Sequence, residues 1–185
     1  MKYLVIVALF LTVSYSYAQR LSNDWRGQLE THLTNFKSCK SVADQNSKCF
    51  QQIGQALHSL YQLSDFYLQD QQRYMAVSEI YEHLEKDSQW QLIGKGYEQP
   101  VLQQAQELAN AKKAVIAIYL NEDRIGQLSY ILPGKLSPSG SWGMQVPNSA
   151  AFITNAVEKS YVEKGLSYSF PRRLIPYVLI YTRKS

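Results

Sequence analysis

The chain has 185 residues, 45% of them hydrophobic, and its 19 Lys and Arg against 15 Asp and Glu give a formal charge of +4. The basic residues are scattered and form no run, which excludes a nucleic-acid stripe, while a mild positive charge permits weak attraction to an anionic polymer such as a cell wall. Its two cysteines and three histidines show no zinc-ligand spacing, so no metal or cofactor is expected.

The N-terminus reads as a secretory signal. Met1-Lys2 supplies a positive start, Tyr3 to Val13 an apolar run, and Ser16-Tyr17-Ala18 small residues at the cleavage positions, leaving Gln19 as the mature N-terminus. The run is too short for a stable membrane anchor. No cysteine follows the cleavage site, which disfavours a bacterial lipoprotein, and no second segment is long and apolar enough to cross a membrane. Residues 1–18 are therefore expected to be a signal peptide and residues 19–185 one exported domain, periplasmic or extracellular, with no membrane partner after cleavage. The formal charge falls by one when Lys2 leaves with the signal.

The mature chain then reads helical in its first half. Trp25, Leu29, Leu33 and Phe36 recur at helical steps. After a polar stretch, Lys37 to Lys48, Asn46-Ser47 offers an N-cap ahead of Cys49, and Phe50, Ile53, Leu57 and Leu60 form the next stripe. A third amphipathic segment carries Tyr74, Val77, Ile80, Tyr81 and Leu84, and a fourth runs from Pro100 to about Ala111.

The period changes in the second half. Lys113 to Leu120 is a nearly continuous apolar run, as in a strand covered on both faces. Asn121-Glu122-Asp123 is a turn, and Gln127 to Leu132 completes a hairpin. Leu136 to Gly143 reads as a loop, Asn148-Ser149 as the N-cap of a short helix through Ala151, Phe152 and Ile153, and Tyr177 to Thr182 as a terminal strand. The expected fold is α+β, with N-terminal helices packed on a small antiparallel sheet.

Two residues bear on chemistry. Cys49 sits just inside a helix start, where unpaired N–H groups and the helix dipole favour a thiolate nucleophile. The other reading of Cys49 is a disulfide with Cys39, usual for an exported protein and worth roughly 2–3 kcal/mol for so short a loop. A cysteine nucleophile also needs a base, and the polar residue that opens the hairpin's second strand is Gln127, whose amide takes no proton near neutral pH. The histidines do not replace it. His58 lies nine residues past Cys49, roughly 900° around the helix and so on the opposite face; His83 belongs to a separate helix, and His32 reads as a surface residue.

The order of short motifs carries a resemblance. Gln104-Ala105-Gln106, Ala109-Asn110, Val115-Ile116-Ala117, Gly126-Gln127-Leu128, Leu132-Pro133-Gly134 and Ser141-Trp142-Gly143 resemble the second half of NlpC/P60-like, papain-fold peptidoglycan amidases and endopeptidases. The resemblance covers roughly Ser47 to Tyr181 and implies a papain-like NlpC/P60-type fold acting on amide bonds of peptidoglycan stem peptides. By position it makes Cys49 the nucleophile, places Gln127 where the family has its catalytic histidine, and puts Trp142 along the substrate groove. A tryptophan after such a loop also commonly caps a core, and both readings of Trp142 stand at this point. Phe50, where related sequences often carry a polar residue, is a further departure.

The leading expectation is an exported, cell-wall-associated protein with an amidase-like fold and no working dyad, which binds wall peptides or a protein partner. An active cysteine hydrolase using Cys49 and a secreted inhibitor or immunity-type binding protein are the alternatives.

Overall fold

The computed structural model describes residues 21–38 and 48–184. The expected signal peptide and Cys39 lie outside the described residues.

Helix α1 (Trp25–Lys37) buries the predicted stripe of Trp25, Leu29, Leu33 and Phe36. Its N-cap, Asp24, makes no side-chain cap bond, so burial rather than capping holds this helix in place. Helix α2 (Lys48–Tyr61) buries Phe50, Ile53, Leu57 and Leu60. The two helices pack together, and the half-buried His32 joins them, its Nδ1 2.9 Å from Gln52 Oε1 and its Nε2 2.9 Å from Ser59 Oγ.

A two-stranded ladder, β1 (Tyr67–Leu68) with β2 (Arg73–Tyr74), separates α2 from helix α3 (Val77–Lys86). Tyr74, which follows the spacing of the third helical stripe, lies in β2 instead. The helix starts later because Glu79 accepts the Ala76 N–H at 2.7 Å and grips the Arg73 guanidinium with both oxygens, fixing the first turn at Val77.

Strand β3 (Trp90–Lys95), helix α4 (Gln99–Asn110), strands β4 (Val115–Leu120), β5 (Gly126–Ile131), β6 (Ser137–Ser139), β7 (Met144–Val146), β8 (Asn148–Phe152), β9 (Tyr161–Gly165) and β10 (Leu179–Arg183) follow. Six of the strands form one antiparallel sheet in the order β3-β10-β4-β5-β8-β9. The fold is thus α+β, with helices on antiparallel sheets.

The sheet is covered on both faces. Ile116, Ile118, Leu128, Tyr130, Ala150 and Phe152 pack against α1, α2 and α3. The alternate residues Val115, Ala117, Ile131 and Ile180 pack against Val101, Leu102, Ala105 and Ala109 of α4. This two-sided burial is what the unbroken apolar run of β4 requires.

Two local expectations are corrected. Asn148–Phe152 is a central strand, not a capped helix: Ala150 and Phe152 face one layer while Ser149 and Ala151 face away, and the segment pairs with β5 and β9. The segment read as a loop from Leu136 to Gly143 contains β6, which pairs with β7.

Candidate functional site

Strand β5 starts in a tight place. A Cβ on Gly126 would lie 2.7 Å from Val77 Cγ1 and 2.8 Å from the Tyr119 carbonyl oxygen, so only glycine lets α3 and β4 close on the strand here. From this start the side chains alternate. Leu128 and Tyr130 face the layer of α1 to α3, and the Tyr130 hydroxyl donates to the Ile53 carbonyl of α2 at 2.6 Å. Gln127 faces the other way, and its amide donates to the Ser169 carbonyl.

Cys49 is half-buried in the first turn of α2. It is not a free cysteine. Its expected partner, Cys39, lies outside the described residues. The sheet does not bring Cys49 and Gln127 together as a facing pair: α2 covers one face, and Gln127 belongs to the other.

Gln127 is held instead by Ser169, whose own hydroxyl belongs to a buried chain. Ser129 Oγ is 2.6 Å from Ser169 Oγ, which is 2.8 Å from the Tyr161 hydroxyl, itself 2.9 Å from Ser149 Oγ. Ser149 donates onward to the Lys164 carbonyl at 3.0 Å, and the Tyr161 hydroxyl also reaches the Gly165 carbonyl at 3.2 Å. Carbonyls only accept, so the chain has a direction: each hydroxyl proton points from Ser129 toward β9, and all four donors are satisfied. Burial raises the Tyr161 pKa, and its hydrogen bonds with Ser149 and Ser169 partly offset the rise. These partners give Gln127 and its neighbours a structural task on the sheet.

Trp142 is in the core, as the second of its two readings has it. It is 4% exposed, its indole N–H donates to the Phe170 carbonyl at 2.9 Å, and it belongs to the buried cluster on the α4 face of the sheet. The three histidines lie on the N-terminal helices. His32 bridges α1 and α2 rather than lying free on the surface, His58 is exposed, and His83 sits edge-on to Phe66 with its Nε2 3.0 Å from Asp87 but out of hydrogen-bond alignment. Among the described residues no group of His, Cys, Asp and Glu could hold a metal ion.

The Pro133-Gly134 turn at the other end of β5 shapes an open cleft. Asn110 clamps Gly134 twice, accepting its N–H at 2.8 Å and donating to its carbonyl at 3.1 Å. Gln106, buried, donates to the Leu132 carbonyl and accepts the Asn148 N–H, and Asn148 donates to the Pro133 carbonyl. These amides hold α4, the turn and β8 as one rim. Beside it opens a cleft of about 350 Å³ lined by Arg26, Lys135, Ser137, Asn148, Glu163 and Lys164 among others. Arg26 pairs with Glu163 at 2.8 Å, and the Lys164 ammonium lies 5.7 Å and 5.5 Å from the rings of Tyr161 and Tyr168. The sequence reading marked Pro133-Gly134 but not these cations, because they come from α1, the β5–β6 connection and β9, which only the fold brings together. No protein-family model matches the chain, and no curated protein matches it in sequence.

Proposed function

We propose that the chain works in an exported compartment as a non-hydrolytic binding protein on a papain-like, NlpC/P60-type scaffold, with peptidoglycan stem peptides as its ligands. The observation that carries this reading is Gln127. In the order of motifs it falls where the resemblance puts that family's base, yet its amide is spent on the Ser169 carbonyl and it faces away from the helix bearing Cys49. No described histidine lies on the sheet, so nothing there replaces the missing proton acceptor. The order of α2, buried β4, β5, the Pro-Gly turn and the tryptophan segment supports the scaffold assignment.

The test pairs a turnover assay with a binding assay. Purified protein at stoichiometric amounts over peptidoglycan is expected to release no stem peptides, with or without reductant, and to sediment with isolated sacculi. Thiol-dependent release of stem peptides overturns the non-hydrolytic reading. Failure to sediment with sacculi overturns the wall ligand and leaves a protein partner as the occupant.

A further inference from the structure

We infer that the cleft beside Pro133-Gly134 is a binding site for the terminal carboxylate of a short peptide. The inference deepens the proposed function and rests on it for the kind of peptide. The site is separate from the position of Gln127: β5 runs from one to the other, about 20 Å at strand spacing.

The cleft has an excess of donors over acceptors. Arg26, Lys135 and Lys164 contribute three cations against the one carboxylate of Glu163. Arg26 has five N–H donors and its guanidinium spends one on Glu163. Among the described residues the Lys135 and Lys164 side chains donate no hydrogen bond, and Lys164 is steered by two aromatic rings. Ser137 presents a hydroxyl, and the Asn148 amide has a second N–H beyond the one held by the Pro133 carbonyl. Gln106 holds the Asn148 backbone N–H and the Pro133 carbonyl holds its side-chain amide, so the direction of that amide is set before a ligand arrives.

Glu163 shows what the cleft accepts. It sits at φ 58°, in the left-handed region that favours glycine, where β9 bulges against β8 between Ser149 and Ala151. A non-glycine residue in this conformation is strained, and here it delivers a carboxylate to Arg26. Glu163 is thus a resident counter-ion: it partly neutralises Arg26 and repels a second carboxylate. A ligand carboxylate binds to the uncommitted lysines and to the remaining donors of Arg26.

The test uses diacetyl-Lys-D-Ala-D-Ala and diacetyl-Lys-L-Ala-L-Ala, each as the free acid and as the C-terminal amide, titrated into the purified exported protein by calorimetry. At least one acid is expected to bind, with its amide weaker by about tenfold, the scale of a charge-assisted contact. Lys135→Ala/Lys164→Ala is expected to abolish the acid preference, and Glu163→Gln to tighten acid binding severalfold while leaving the amide unchanged. Backbone amide shifts at Gly134, Lys135, Lys164 and Gly165 place the ligand, and thermal melts of each variant verify folding. Equal binding of acid and amide, no binding of either acid, or a double variant that behaves like the parent overturns the inference. The two readings fail separately. Sacculus binding that survives the double variant leaves wall binding standing without this cleft. An acid preference without sacculus binding leaves the cleft standing without the wall.

Discussion

Ser169 serves three neighbours at once, its carbonyl accepting from Gln127 and its hydroxyl lying between Ser129 and Tyr161. Removing any one of them strands a polar group near the core. Tyr161→Phe deletes the acceptor for Ser169 and is expected to cost about 1–3 kcal/mol, read from urea midpoints. Gln127→His tests the resemblance directly. The imidazole replaces an amide that faces the Ser169 carbonyl, so the variant is expected to fold and to release no stem peptides, and release would place a working thiol within its reach. Glu79 gives the pH dependence at this scale. The hydrogen bond from Arg73 first, with the Ala76 N–H helping against burial, lowers its pKa below the usual 4.5. Because the folded value is the lower one, the stabilisation is present above the unfolded pKa and is lost as the pH falls through the folded value. Glu79 is partly exposed, so Glu79→Gln should cost only about 1 kcal/mol at neutral pH and flatten the acid limb of a stability–pH curve.

Two helices carry opposite lessons about glycine. Helix α4 ends with the Lys112 N–H on the Ala109 carbonyl and the Lys113 N–H on the Leu108 carbonyl, the paired bonds of a Schellman motif. Its left-handed position, φ 65°, holds Lys112 rather than glycine. Lys112→Gly is expected to stabilise the fold by about 1 kcal/mol, read as a raised melting temperature. In α2 the reverse holds. A Cβ on Gly54 would lie 2.7 Å from Tyr74 Cδ1 and 2.8 Å from Tyr74 Cβ. Gly54→Ala gains about 1 kcal/mol of helix propensity but must push β2 away, at about 1–3 kcal/mol, so the melting temperature is expected to fall. The same closeness explains why Tyr74 fits a helical stripe yet is not helical: it packs on α2 from a neighbouring strand.

Across the molecule, tyrosines are built into both sides of the sheet's core. Burial raises the pKa of Tyr61 and Tyr130, raises that of Tyr161, and pushes Tyr181 up to about 12 with help from Glu85 and Tyr81. The unfolded chain loses these protons near the ordinary value of 10.0, and the folded chain holds them longer. Stability is therefore full below that value and is lost as the pH rises beyond it. Tyrosinate absorbance for these side chains is expected to appear together with unfolding, and early ionisation of all of them in a still-folded protein would contradict this burial.

Periodicity in the sequence was enough to place α1, α2, α4, the β4–β5 hairpin and the last strand, because each buries a stripe or run of its own residues against a broad surface. It did not show β3 or β9, whose exposed and half-buried positions lack a clean alternation, and it mistook β8 for a helix because a small-residue segment satisfies either period. For the site, the sequence by itself determined that Gln127 cannot act as a base, since that follows from the amide alone. Which face Gln127 takes, that Trp142 is core, and that Arg26, Lys135 and Lys164 share one cleft were decided only by tertiary structure. Those facts depend on strand register and on contacts between residues more than a hundred positions apart, such as Arg26 with Glu163, and no local spacing encodes them.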